Sequence, residues 1–469
     1  MINSSKARWP ILAVIIIGQV MDLMASTIVN VAGPAFSGAL HGTPSQMQWA
    51  IGGYALTLGA GLVLGGRLGD RFGRRPMFLF GLAAFTLASL LCACAPSIDA
   101  LIALRLVQGA TGAMLLPQGI GLLRENYSGP DLAKVFGIFG PVLGLAGIVG
   151  PVLGGGLIGA NLFGLGWRSV FLINVPFGVA CLAVAWRFLP RRAGDPSIAI
   201  DLLGAALLVV ASVLAVWPLG EATDWSLWST LSLAGAVLVF GLFIIRQRSV
   251  MARGETPLVL PSILRSTAYA AGLAGIALFF CSLVGTQLVL TLFLQVGHGF
   301  TPGEASVANL PFAIGTAVGA TLSGAVLAAR YGRRILQLGA LVQLIGVTLL
   351  WHEVGRSDAF SAWHIAPGVA IIGVGAGLVI AALFSIILAA LDEKQIGSGS
   401  GVLSAVQSIA ASIGVAVFGS VFFATNPSSA PASALSAALV VQSIVLTAFL
   451  AVAFLFPARA REDAETVHV

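Results

Sequence analysis

Two ionisable residues of this sequence stand alone inside long apolar runs. Asp22 interrupts the run 9–33 and Arg105 the run 100–123. Asp22 is the only acid, and Arg105 the only base, well inside any such run. Holding charge in hydrocarbon is costly, so such residues face a partner or a wet cavity and mark ion or proton pathways. A carboxyl in that setting can load and release a proton, or it can serve only as a hydrogen-bonded packing group. Gln108 and Gly109 follow Arg105 at three and four residues, on the same face of a helix. Arg105 also lies near the end of its run, about five residues in, where a long side chain can snorkel to the headgroups.

A third grouping lies between two apolar runs, where residues 66–75 read Gly-Arg-Leu-Gly-Asp-Arg-Phe-Gly-Arg-Arg. Asp70 stands among Arg67, Arg71, Arg74 and Arg75, a set able to form a charge-assisted network that a conformational change makes and breaks. Gly66 and Gly73 allow a tight turn and a close approach of helix ends.

Other chemistries find little support. His352-Glu353 opens a zinc-protease-like pattern, but Arg356 occupies the place of the second histidine. No Walker loop occurs, so ATP is not the expected energy source. Gly154, Gly156 and Gly159 match a dinucleotide fingerprint in spacing, yet no strand precedes them. Cys92, Cys94, Cys181 and Cys281 all lie in apolar runs and read as small core residues. Neither an enzyme nor a cofactor-binding protein is expected.

The elements that must position these residues are membrane spans. Apolar residues make up 58% of 469 and charged residues 9%, with a mean hydropathy of +0.99. A soluble core of this length needs far more polar surface. The pI near 9.5 reflects topology rather than a nucleic-acid groove. Fourteen runs are long enough to cross a hydrocarbon core: 9–33, 47–66, 77–96, 100–123, 135–159, 168–189, 201–220, 228–247, 268–296, 303–329, 335–352, 364–390, 402–424 and 435–456. The first run starts at Lys6 and Arg8 as a signal peptide would, but it continues too long and is read as a retained span. With the N-terminus inside, only Arg168 and Arg356 of the 24 lysines and arginines fall outside, and Arg105 lies within a span. That bias puts both termini in the cytoplasm.

Residues 324–334 repeat residues 65–75: Arg71, Gly73, Arg74 and Arg75 recur as Arg330, Gly332, Arg333 and Arg334, while Ala329 replaces Asp70. Such repeats build transporters from two halves that rock about a central site. The offset leaves two extra spans, within 201–247, between the copies. The expected organisation is a bundle of six helices at 1–192, two additional helices at 193–255 and a second six-helix bundle at 256–469.

The 66–75 pattern resembles the loop between spans 2 and 3 of the major facilitator superfamily. The order Arg105-x-x-Gln108-Gly109-x-x-Gly112-Ala113 resembles its span-4 motif, in which the arginine takes part in proton transfer. Gly150-Pro151-Val152-Leu153-Gly154 resembles its antiporter motif, with Ala146 at one glycine position. Trp167 to Gly178 and Phe293 to Pro302 look like the fourteen-span drug–proton antiporters, so the resemblance covers nearly the whole chain. It implies an all-α membrane protein of the major facilitator fold. Span 1 departs from the pattern, because Ala25 stands at the family's aspartate position and Asp22 lies one turn earlier.

The expected function is proton-coupled export of small amphiphilic compounds, multidrug efflux that confers antibiotic resistance, from a monomer in the bacterial plasma membrane. A dedicated metabolite exporter, or a facilitator without strict proton coupling, is the alternative, and a non-transporting sensor or scaffold is a further class. Asp22 and Arg105 are the expected proton-coupling residues. Gly66, Asp70, Arg71, Gly73, Arg74 and Arg75 form the expected latch, and Asn30, Trp49, Tyr54, Gln108 and Gln295 the expected substrate contacts.

Overall fold

The computed structural model describes residues 4–220, 226–323, 328–354 and 361–457. The connection at 221–225, the start of the repeat at 324–327 and Arg356 lie outside the described residues. Among the described residues the chain is helical, with no strand. In lipid each backbone N–H and C=O must be satisfied within its own segment, which a helix alone achieves without a closed sheet.

The first half comprises α1 (Ser4–Ala39), α2 (Pro44–Phe72), α3 (Arg74–Ala93), α4 (Ile98–Gly112), α5 (Leu115–Asn126), α6 (Gly129–Ala160), the short α7 (Ser169–Leu172) and α8 (Asn174–Phe188). Then come α9 (Leu202–Gly220) and α10 (Leu227–Ala252). The remainder is α11 (Thr267–Leu292), α12 (Pro302–Ala308), α13 (Leu310–Leu322), α14 (Ala328–Tyr331), α15 (Arg333–Val354), α16 (Ala362–Leu388), α17 (Glu393–Phe423) and α18 (Pro431–Ala453). Thirteen helical stretches among the described residues are long and apolar enough to cross a membrane. Within α6 the stretch Val149–Ala160 is apolar but shorter than these thirteen.

Several expected spans differ in detail, each for a local reason. The run 100–123 is broken between α4 and α5. Pro117 cannot donate to the carbonyl of Ala113, and its ring displaces that carbonyl from the helix ladder. Pro176 and Pro311 likewise follow the breaks between α7 and α8 and between α12 and α13, three and two residues on. The presumed loop at 66–75 is mostly helix: α2 runs on through Asp70 to Phe72, and α3 begins at Arg74. The whole turn is Gly73, held at φ +96° and ψ 142°, where side-chain-bearing residues are strained. Cys94 is exposed rather than in the core, while Cys92 and Cys181 are buried.

Helix ends are set by polar caps. Thr43 accepts from the Gln46 amide while the Gln46 side chain accepts from the Thr43 amide, a reciprocal pair that opens α2. Thr301 and Glu304 open α12 in the same way. In the core, α1 packs on α6 and α8, α2 on α4, and α3 on α4 and α8. In the second half, α16 packs between α13 and α15, and α11 lies against α17 and α18. Across the halves α2 runs along α17, and α6 meets α12. The α9–α10 hairpin sits outside, with α9 against α2 and α17.

Candidate functional site

Asp22 on α1, Tyr54 on α2 and Arg105 on α4 come together in the first half. Asp22 is 9% exposed, and Tyr54 and Arg105 are 0% exposed. The Tyr54 hydroxyl donates to Asp22 Oδ1. The face of the same ring receives the Arg105 guanidinium, with Cζ 4.3 Å from the ring centroid, a cation–π contact worth about 0.5–2 kcal/mol. Arg105 Nε donates to the Ala50 carbonyl at 3.0 Å and Nη1 to Gln108 Oε1 at 2.7 Å. Gln108 Nε2 donates in turn to Ser89 Oγ at 2.8 Å. Arg105 is therefore buried and partnered, not snorkelling. Its Nη2 has no hydrogen-bond partner among the described residues.

Close helix approach makes this possible. A Cβ on Gly109 would lie 2.2 Å from the Tyr54 carbonyl oxygen. One on Gly112 would lie 2.6 Å from Asp22 Oδ1 and 3.1 Å from the Tyr54 hydroxyl. Small residues there let α4 come against α2 and α1 as lipid-embedded helices do. The glycines of α6 do the same for α1: a Cβ on Gly150 would meet Thr27 Oγ1 at 2.4 Å, and one on Gly154 would meet Ile28 Cγ1 at 2.5 Å. The carbonyl of Pro151 accepts from Ser306 Oγ of α12 at 2.9 Å, a bond between the halves.

The remaining expected substrate contacts lie outside this group. Trp49 packs in a small cluster with Val216 of α9 and Ala416 of α17. Gln295 Nε2 donates to the Val31 carbonyl at 3.0 Å, joining α1 to the turn that follows α11. Asn30 Oδ1 is buried without a partner among the described residues. A cavity of about 470 Å³ opens near the Thr43 end of the bundle, lined by Pro34, Ser37, His41, Met47, Val296 and Phe423. None of the five expected contacts lines it.

At the opposite end, Arg74 joins two carboxylates. Its Nη2 lies 3.2 Å from Asp70 Oδ1 and its Nε 2.9 Å from Glu125 Oε1 at the end of α5. Gly121 leaves the space that Arg74 occupies, since a Cβ there would fall 1.3 Å from Arg74 Nη1. Arg71 Nη1 donates to the Ile198 carbonyl at 2.9 Å, the Asp195 amide to the Asp70 carbonyl at 2.9 Å, and Arg67 Nη2 to the Pro257 carbonyl at 2.8 Å. Arg75 Nη2 donates to the Trp186 carbonyl at 2.7 Å. Gly66 has open space around it, with only Pro117 Cβ within reach at 3.8 Å.

Sequence reasoning missed Ser89 and Glu125. A buried serine mid-span and a glutamate at a helix end carry no local signal of their partners.

Known proteins share this architecture. The chain is 41% identical over 406 residues, 86% of its length and 70% of the relative's, to a protein named probable actinorhodin transporter of Streptomyces coelicolor. It is 34% identical over 378 residues, 79% of its length and 68% of the relative's, to the tetracenomycin C resistance and export protein of Streptomyces glaucescens. In structure it resembles a bacterial homologue of the human lysosomal transporter Spinster, with a TM-score of 0.67 over 96% of each chain at 17% identity. The family profile described as Major Facilitator Superfamily matches residues 15–415. With that match along most of its length, this multi-pass membrane protein belongs to the Major Facilitator Superfamily.

Proposed function

We propose that the protein exports small amphiphilic compounds from a bacterial cell in exchange for protons, by alternating access. The observation that carries this reading is the buried Asp22–Tyr54–Arg105 contact, in which a span carboxyl and a span cation share one side chain. An ionised carboxylate only accepts hydrogen bonds, whereas a protonated one also donates. Loading a proton on Asp22 removes the anion on one side of the Tyr54 ring while the Arg105 cation stays on the other. The junction of α1, α2 and α4 then has two charge states, and each can favour one orientation of the halves. Relatives named for antibiotic resistance and export support outward movement of the substrate.

In this reading the chain has fourteen spans, with all 32 residues of α6 counted as the fifth. Residues 1–192 and 256–469 are the two bundles, and 193–255 carry the additional pair. The arginine-rich Asp70 end faces the cytoplasm together with both termini. There the Asp70–Arg74–Glu125 network latches the helix ends in one orientation. The working unit is a monomer.

A second reading has two facts in its favour. Ala25 occupies the family's aspartate position, and relatives are named for single compounds such as actinorhodin and tetracenomycin C. A dedicated exporter, coupled to protons or not, fits both facts. Substrate-dependent proton flux in proteoliposomes, across a panel of lipophilic cations and neutral antibiotics, separates the readings. Flux of one compound class without proton movement would overturn coupled multidrug export.

A further inference from the structure

Among the thirteen candidate spans of the described residues, α10 is the least covered by the rest of the protein, and it ends in a basic pocket. α10 packs chiefly on α9, and Val237, Leu238, Leu242, Ile245 and Met251 along it are exposed. Next to its last turns, Ile244, Arg248 and Met251 face Ser262, Leu264 and Arg265 around a cavity of about 320 Å³. Among the described residues neither the Arg248 nor the Arg265 guanidinium is hydrogen-bonded or ion-paired. Arg246, two residues before Arg248, is already committed: its Nε lies 3.1 Å from Asp201 Oδ1. Gln247 completes that cluster, donating to Asp201 Oδ2 at 2.9 Å and accepting from the Val259 amide at 3.2 Å. These bonds fix the segment after α10 against the hairpin, so the pocket is built on anchored backbone.

The chemistry of the pocket is that of a phosphate site at a membrane surface. Across residues 244–266 the only acid is Glu255, against Arg246, Arg248, Arg253 and Arg265. Arginine presents its donors in a planar fork that matches phosphate oxygens. Ser262 adds a hydroxyl beside them. The exposed apolar side chains of α10 lead up to the pocket from the lipid, and Arg248 stands one turn from the helix end at Ala252, the depth at which headgroups meet a span. We propose that this pocket binds the phosphodiester headgroup of an anionic phospholipid whose acyl chains lie along α10. A bound lipid would brace the hairpin on the side that α9 does not cover.

The test is native mass spectrometry of the purified full chain, titrated with phosphatidylglycerol and with phosphatidylcholine. The parent should retain phosphatidylglycerol in preference to phosphatidylcholine. The variant Arg248→Gln with Arg265→Gln should bind phosphatidylglycerol about tenfold or more weakly, the scale expected for two basic residues at a lipid surface. Lysine at both positions should restore most of the binding, because charge is kept. Arg253→Gln, outside the pocket lining, should bind as the parent does. Equal retention of the two lipids by the parent would overturn the proposal, as would unchanged binding in the double glutamine variant. Retention of inorganic phosphate by the parent with no phosphatidylglycerol bound would also overturn it, assigning the pocket to a free anion instead. The parent-only comparison decides the matter if a variant fails to fold.

Discussion

The Tyr54 hydroxyl donates to the Asp22 carboxylate while the face of the same ring lies under the Arg105 guanidinium, 4.3 Å from Cζ to centroid. One side chain thus joins three helices and separates two opposite charges that do not touch. Tyr54 does two separable things here, hydrogen bonding through its oxygen and cation binding through its ring.

Tyr54→Phe separates them. The ring and its cation–π contact stay, so expression and thermal stability should remain near the parent's. Export should fall about tenfold, the scale of one hydrogen bond to a charged group at ~1.5 kcal/mol. Tyr54→Ala should in addition cost about 3–5 kcal/mol of stability through the cavity it leaves. Parent-like flux in Tyr54→Phe would remove the hydroxyl from the mechanism.

Asp22→Asn should abolish pH-driven export while substrate binding survives, since asparagine mimics the protonated acid in shape. Ala25, 2% exposed, sits one turn away. Ala25→Asp puts a second carboxylate beside the first, and two such groups titrate as a pair, so flux against external pH should show two steps. The double variant Asp22→Asn with Ala25→Asp should recover part of the proton-driven flux. If Asp22→Asn transports like the parent and Ala25→Asp alone creates pH dependence, Asp22 is a packing group.

Gly112→Ala would place a methyl 2.6 Å from Asp22 Oδ1. Export should drop at least as far as in Tyr54→Phe, with about 1–3 kcal/mol lost to overpacking. Gly66→Ala is the contrast: its nearest neighbour is 3.8 Å away, and flux should stay close to the parent's. Equal effects of the two substitutions would show that helix flexibility, rather than the Asp22 contact, is at stake.

Asp70→Asn and Glu125→Gln each remove one of the two carboxylates on Arg74. Both groups are partly exposed, so each should cost under about 1 kcal/mol of stability, yet each should slow transport. Because they share Arg74, the double variant should fall short of the sum of the single effects. Full additivity in a flux assay would mean that the two act on separate steps.

Gly73→Ala meets both a strained backbone, at φ +96°, and the Arg192 carbonyl oxygen 2.8 Å from the new Cβ. The cost should be about 1–3 kcal/mol, seen as a lower melting temperature. A parent-like melting curve would show that the α2–α3 turn relaxes into another conformation.

Much of the architecture was legible before any coordinates. Long apolar runs in lipid have one backbone solution, so the helices could be placed within a few residues. Asp22 and Arg105 announced themselves because an isolated charge in hydrocarbon needs a reason. The breaks at Ala113, Ile173 and Asn309 were legible in principle as well, each standing two to four residues ahead of a proline. Asp70 was found and placed at a helix end, but the continuation of α2 through it to Phe72 was not, because a polar, arginine-rich stretch reads as a loop whether or not it is helical.

The role of Tyr54 was not legible. From sequence it is one aromatic residue in an apolar run, as suited to contacting substrate as to anything else. The rise of 1.5 Å per residue sets spacing along one helix, and so the sequence by itself determined that Gln108 and Gly112 share a face with Arg105. Spacing along a helix says nothing of the depth and rotation at which another helix packs. Those are decided by which backbones can touch, here where Gly109 and Gly112 admit α2 and where Gly150 and Gly154 admit α1. Only the tertiary structure therefore decided that a tyrosine stands between the lone acid and the lone base, and that Glu125 shares Arg74 with Asp70.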